Sequence, residues 1–458
     1  MADRAIGMDP MAVSEQSRVI SGHTATLTEL ADEVARTGEA SRWPGVFGLF
    51  PGNLILTKGS IFLAENAASD VRLAAEAAHE LIGRLGVNVS EQIAASSAGD
   101  GYADGQMSKR QADELYERVM RDPHALDDMS PEQVAQWWST LSKTQQDAFV
   151  SEQHWVAGNT NGIPFDRRAQ ANQLNAEEML LSGTPLSDAQ REYLEQVAGL
   201  HVNADGEVVR DAPTKNLISF DPAADRIIEM IGELGPETTN IVEYVPGTAS
   251  TMNDFYTEGT QGMGNALVDG ANPPGSTVVF VYKDSPFPGW DATTGVYHSS
   301  SASSAGGPYH DFNTALAMEN TDGASVTSIE HSYGSSVGGY AETQGTHFDN
   351  RIVLGGIGMT DDWTPDPDTN YYSYTGPDDI IRLAREKGSE ETNTGYEMTP
   401  TAENGFIELD TGYDDIPSPT FIWDVPGYVE DAADQHRRVG GVDDNQVVVG
   451  GIIEILNG

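Results

Sequence analysis

A serine set just past a β-like run and followed by small residues is the arrangement in this chain best suited to covalent chemistry. The stretch SVTSIEHSYGSSVGGYAE, residues 325–342, passes from a strand-like segment into one rich in Gly, Ser and Val. A sharp strand-to-helix turn that exposes a hydroxyl needs that composition, because bulky side chains would crowd it. Within it, Glu330-His331-Ser332-Tyr333-Gly334 keeps the second glycine of the nucleophile-elbow pattern G-x-S-x-G and has glutamate where the first would stand. A carboxylate at that place is expected either to point to solvent or to crowd the turn.

A serine hydroxyl is a weak nucleophile until a base takes its proton, and the base needs an acid to orient it. On a sheet of this kind the parts follow in the order serine, acid, histidine. Only His347 and His436 follow Ser332. His347 comes too early to leave an acid-bearing strand between, so His436, in EDAADQHRRVGG, is the expected base. The acid should end an intervening strand, and YYSYTGPDDII offers Asp378 and Asp379 after its Gly-Pro turn. Asp379 is preferred, with Asp378 open as the alternative. Attack on a carbonyl leaves an oxyanion that needs preorganised backbone donors. The amide of Tyr333 is one candidate. In EYVPGTAST, residues 243–251, the Pro246-Gly247 turn brings the backbone close and makes the Thr248 amide the other.

Elements that could position these groups follow from the apolar spacing. Strand-like runs occur at 240–245, 276–282, 325–331, 351–356, 370–375 and 406–410, several apolar throughout, as in a sheet covered on both faces. Helix-like segments at 224–233, 311–319, 336–343, 378–387 and 444–456 alternate with them, which predicts an α/β fold with a mostly parallel, doubly wound sheet. The Gly/Ser-rich residues 298–312 read as a surface loop or a flexible lid. Residues 106–200 read as helical, with Ser130 and Ser187 as N-caps and Pro131 at a first helical position. A small hairpin is expected over 201–211, turning at Asp205-Gly206. Amphipathic helices are expected at 14–38 and, with Val71, Ala74, Ala78, Leu81 and Leu85 as its stripe, around 71–85.

Composition removes several classes of function. Among 458 residues, 25 are Lys or Arg and 71 are Asp or Glu, a formal charge of −46 that repels phosphate backbones and anionic lipid. Neither nucleic acid nor a membrane surface is an expected partner. The absence of Cys excludes disulfides, thiolate metal sites and a cysteine nucleophile. No apolar run is long enough to span a bilayer, and the first residues lack an apolar leader core, so a soluble protein is expected, in the cytoplasm or exported without an ordinary signal peptide. Asp366–Asn370 alternates oxygen ligands like a calcium loop but lacks the required glycine and terminal glutamate. No phosphate-binding or dinucleotide motif occurs either, and no metal or cofactor is implied.

Several of these motifs in order, YVPGTAST, VYKDSP, HSYGSSV and a C-terminal histidine followed by GGIIEILNG, resemble an actinobacterial α/β-hydrolase family of unknown function. The segment at 137–172 looks like the one preceding the hydrolase domain there. This resemblance, over about 130–458, implies the α/β-hydrolase fold and a Ser-Asp-His hydrolase at Ser332, Asp379 and His436 but supplies no substrate; a small acyl compound is the substrate expected from the triad chemistry itself. Residues 7–97, with Trp43-Pro44-Gly45 between two helical stretches, resemble the Trp-x-Gly helical hairpins exported by type VII secretion. That likeness implies a type VII-like export route and a second helical hairpin, or another copy of the chain, as partner. The expected organisation is a hairpin domain at 1–97, a helical connection at 106–200 and a hydrolase domain at 201–458. A serine esterase is the leading expectation, with amidase or peptidase action on the same triad a variant of it. The competing one is an inactive hydrolase fold that serves as a secreted binding protein.

Overall fold

The structure is a computed structural model, and it describes residues 107–458 apart from 204, 290–299, 383–384, 386–395, 397, 417–424 and 444. The helices expected at 14–38 and 71–85, and Trp43 between them, lie outside the described residues. Met107–Gly458 forms one compact unit.

Its first part is helical because the chain repeatedly supplies strong start signals. Helices α1 (Lys109–Val119), α2 (Pro131–Thr140) and α3 (Lys143–Glu152) each begin with a serine whose hydroxyl accepts from the amide three residues on, while a glutamine there reaches back to the serine amide. This reciprocal cap satisfies two amide donors that a helix start otherwise leaves orphaned. Trp137, Trp138 and Phe149 meet edge-on in the core of these helices. After the short α4 (His154–Ala157), α5 (Phe165–Leu181) and the Ser187-capped α6 (Asp188–Ala198) pack against the sheet. Asn172 and Asn159 cement that contact, donating to the carbonyls of Leu217 (2.9 Å) and Phe220 (3.0 Å).

The expected hairpin is present as antiparallel β1 (Leu200–Val202) and β2 (Val208–Arg210). The chain then builds β3 (Asn216–Asp221), β4 (Arg226–Ile231) and β5 (Asn240–Val245), followed by α7 (Met252–Tyr256) and α8 (Gln261–Asp269). From there β6 (Thr277–Lys283), α9 (Ser300–Glu319), β7 (Ser325–His331), α10 (Gly334–Thr343) and β8 (Asn350–Leu354) alternate. The unit closes with β9 (Asn370–Tyr374), β10 (Ile407–Leu409), α11 (Val425–Val439) and α12 (Gln446–Asn457). The eight strands β3 to β10 form one sheet in the order β10-β9-β8-β7-β5-β6-β4-β3. All neighbours from β10 to β6 run parallel, and β4 and β3 add an antiparallel edge. This is the α/β-hydrolase fold with a mostly parallel sheet. Strand alternation divides the core: Val242, Tyr244, Val279 and Val281 face the α6, α8 and α12 side, whereas Ile241, Val245, Val278 and Phe280 face α5, α9 and α10. No helix among the described residues is long and apolar enough to cross a membrane.

Two expectations are corrected. Residues 224–233, read as helix, contain β4. Its neighbouring isoleucines satisfy either period in isolation, but pairing with β3 and β6 sends Ile227 to one core and Ile228 to the other. Residues 298–312, read as a loop or lid, mostly belong to the buried start of α9, with Ala302, Ala305, Tyr309 and Phe312 in the core. The small residues serve helix packing: a Cβ at Gly306 would lie 2.7 Å from Tyr340 of α10.

Candidate active site

Chain order reverses between β5 and β7, since β6 follows β5 on one side and β7 is laid down on the other. At such a switch point the connections leaving the carboxyl ends of the strands diverge and open a crevice. The two turns bounding it are Pro246-Gly247-Thr248 after β5 and His331-Ser332-Tyr333 after β7.

Ser332 sits on the second turn with φ of 55°, a left-handed conformation that non-glycine residues rarely adopt. Its surroundings hold it there. The Ser332 amide donates to the Leu354 carbonyl (2.9 Å), and its carbonyl accepts from the Ile357 amide (3.0 Å) and the Ser335 hydroxyl (2.8 Å). Helix α10 starts at once and close by, because a Cβ at Gly334 would lie 2.7 Å from the Val245 carbonyl oxygen. That is the crowding the second glycine of the motif relieves.

His436, ahead of the helix expected at 444–456, lies in the final turns of α11. Its Nε2 is 2.8 Å from Ser332 Oγ across a sequence separation of 104 residues, and both side chains are buried. On the far side of the ring, Nδ1 is 2.9 Å from Oδ1 of the fully buried Asp379 carboxylate. This approach is close without being an aligned hydrogen bond, since Nδ1 and Asp379 Oδ2 both lack a hydrogen-bond partner. Such contacts are commonly loose in a free enzyme and tighten around bound substrate. Asp379 is itself held by the Ile381 amide, which donates to Oδ1 at 2.9 Å. Asp378 turns away and accepts from the Ile416 amide (2.6 Å) and the Tyr428 hydroxyl (3.2 Å). His347 pairs with Asp366 on the surface.

The donors expected for an oxyanion flank the serine. A Cβ at Gly247 would lie 3.0 Å from Ser332 Cβ, so the turn carrying Thr248 abuts Ser332. Among the described residues, neither the Thr248 nor the Tyr333 amide donates to a protein acceptor, and the Thr248 hydroxyl is buried without a partner.

The Glu330 carboxylate neither points to solvent nor crowds the turn, which corrects both alternatives expected from sequence. Strand alternation sends it into the layer between sheet and α10, opposite in direction to Ile329. There Arg351 of β8 meets it with Nη2 to Oε2 at 2.7 Å, both side chains fully buried. Arg351 also donates to Glu342 (2.7 Å) and to the Ser335 carbonyl (2.6 Å), tying both ends of α10 to the sheet. Burial opposes its charge, but Glu330 and Glu342 outweigh that and push Arg351 above its usual range. Gly338 makes the space, since a Cβ there would overlap Glu330 Oε1.

Sequence reasoning passed over Arg351, Glu243 and Gly355. The first two are ionisable residues inside apolar strands, a pattern that signals buried partners. Gly355, at φ +53°, follows β8, and a Cβ on it would lie 2.9 Å from His436 Nδ1 and 3.0 Å from Asp379 Oδ2. A Gly-Gly pair at the carboxyl end of a strand was the available signal.

Residues 223–386 match the family model described as alpha/beta hydrolase. This segment is an alpha/beta hydrolase domain. It contains Ser332 and Asp379, and His436 lies beyond the matched segment. The chain is similar to a solved protein of unknown function from Agrobacterium tumefaciens at 13% identity, covering 53% of this chain and 94% of that one with a TM-score of 0.28. It is also similar to a thermophilic esterase from Thermogutta terrifontis at 10% identity, covering 48% of this chain and 91% of that one with a TM-score of 0.25. No curated protein matches.

Proposed function

We propose that this hydrolase cleaves an ester or related acyl bond with Ser332 as nucleophile, His436 as base and Asp379 as the acid that orients it. The carrying observation is the contact of hydroxyl, imidazole and carboxylate in a line, Ser332 to His436 at 2.8 Å and His436 to Asp379 at 2.9 Å. A carboxylate beside Nδ1 favours the tautomer with its proton there, which leaves Nε2 free to accept from Ser332.

Ser332 Oγ forms a bond to the acyl carbon as its proton passes to Nε2. The carbonyl oxygen becomes an oxyanion, for which the amides of Tyr333 and Thr248 are the donors. Collapse expels the alkoxide, which leaves with the proton from Nε2, and the acyl group stays on Oγ. Water then repeats the sequence, giving its proton to His436, releasing the acid and restoring the serine. Removing one oxyanion donor typically slows such chemistry on the order of 10² to 10³.

The competing reading, an inactive fold acting through the N-terminal segment, drew its support from Glu330, whose carboxylate is paired with Arg351 away from the crevice. Fluorophosphonate labelling of the full chain tests the proposal, together with hydrolysis of p-nitrophenyl esters. Labelling at Ser332 and its loss in Ser332→Ala are expected. An unlabelled wild type, or ester hydrolysis that survives Ser332→Ala, refutes it.

A further inference from the structure

His331, immediately before the nucleophile, has no role in the steps above, yet its ring lies against His436 and between the Gly247 turn and the end of α11. Its Nε2 lies 2.9 Å from the backbone carbonyl oxygen of His436, and the two rings sit 5.0 Å apart, tilted by 35°. A carbonyl oxygen only accepts, so Nε2 carries the proton and Nδ1 does not. The ring lies in a slot cut by two glycines. A Cβ at Gly247, on the oxyanion side, would be 2.9 Å from Nδ1, and one at Gly440, just past α11, would be 2.5 Å from Cγ.

The acceptor explains the arrangement. His436 falls among the last four residues of α11, whose carbonyls find no amide donor further along the helix. His331 supplies a donor for one of them, and the Tyr244 hydroxyl holds the Gly440 carbonyl at 2.7 Å a turn later. The end of the helix bearing the base is thus latched to β5 and β7, the strands that carry the oxyanion turn and the nucleophile. A cation here would oppose the imidazolium that forms on His436 during reaction. Burial, with His436 adding to it, pushes His331 down to about 4, so the latch is neutral where such an enzyme works.

We infer that His331 is a positioning residue, whose Nε2–H holds the backbone of His436 so that the imidazole meets Ser332. The inference rests on the Ser332–His436 reading, and its test separates the two. Fluorophosphonate labelling rates are compared for the full-length wild type, His331→Leu and His331→Gln. Misplacing a reacting group by an ångström slows reaction on the order of 10²-fold. His331→Leu is therefore expected to label about tenfold to a hundredfold more slowly, with His331→Gln, which keeps a donor, recovering most of the rate. Labelling of His331→Leu at the wild-type rate, or equal slowing in both variants, overturns the inference while leaving Ser332 as nucleophile. An unlabelled wild type overturns the triad reading instead. Long-range ¹H–¹⁵N imidazole spectra of the folded wild type, with His331 assigned by its absence from His331→Gln, read the bond without any kinetics. They are expected to show the Nε2–H tautomer, neutral at about pH 6. An Nδ1–H tautomer or a protonated ring at that pH overturns the inference, whether or not the Leu variant folds.

Discussion

Glu243 is a carboxyl group in the wrong place for a charge. It lies in the middle of β5, fully buried, with Oε2 accepting from Asn313 at 3.0 Å and Oε1 without a partner. Burial, with Glu330 adding to it, pushes its pKa from 4.5 to about 8. The sign of the consequence follows from proton counting. Below about pH 4.5 the group is protonated in both folded and unfolded chains and contributes nothing to pH dependence. As pH rises toward 8, the unfolded chain releases its proton and the folded one keeps it, so stability falls across that window and levels off above it. At neutral pH the gap of some 2.5 pK units, at about 1.4 kcal/mol each, amounts to about 3 kcal/mol of lost stability. Glu243→Gln keeps the acceptor for Asn313 and cannot ionise. It is expected to be more stable than wild type by up to about 3 kcal/mol at pH 7 and nearly equal to it at about pH 4. Urea unfolding of both full-length chains across that range, following the tryptophan signal, measures the difference. Parallel curves for the two proteins, or a variant less stable at neutral pH, refute a neutral Glu243.

Three further substitutions probe the candidate site and the buried ion pair beneath it. Gly355→Ala puts a methyl group against His436 Nδ1 and Asp379 Oδ2, at a backbone φ of +53°, and is expected to slow fluorophosphonate labelling on the order of 10²-fold; an unchanged rate refutes the close approach. Arg351→Met leaves Glu330 buried without its partner and is expected to destabilise the protein by about 3 to 5 kcal/mol, with Glu330→Leu added to it restoring most of that loss, as a double-mutant cycle in urea unfolding reads directly. Additive losses in the double variant contradict the pairing.

Local signals explain why much of the fold and the core of the candidate site were legible in the sequence. A parallel strand covered on both faces is apolar at most positions, so STVVFVY, and NIVEYV despite Asn240 and Glu243, mark β6 and β5 without reference to their neighbours. Serine caps with a glutamine three residues on mark helix starts in the same way. The elbow around Ser332 is also local, because the turn and the helix start that crowd it lie within a few residues of it. Longer-range facts left weaker traces. The isoleucines of β4 suit a helix until β3 and β6 pair with them, and the Gly/Ser-rich start of α9 looks solvated until the tight fit of Gly306 against Tyr340 is seen.

From residue types and spacing alone came the α/β class, the expected order of serine, acid and histidine, the exclusion of thiol chemistry and the expectation against polyanionic partners, all of which depend on composition or on residues near in sequence. Which aspartate faces the imidazole, where the Glu330 carboxylate goes, and how His331 reaches His436 were decided by the tertiary structure. Each depends on groups remote in sequence, such as the 105 residues between the ring of His331 and the carbonyl it holds, and only the packing of sheet against helices brings such groups within hydrogen-bonding distance.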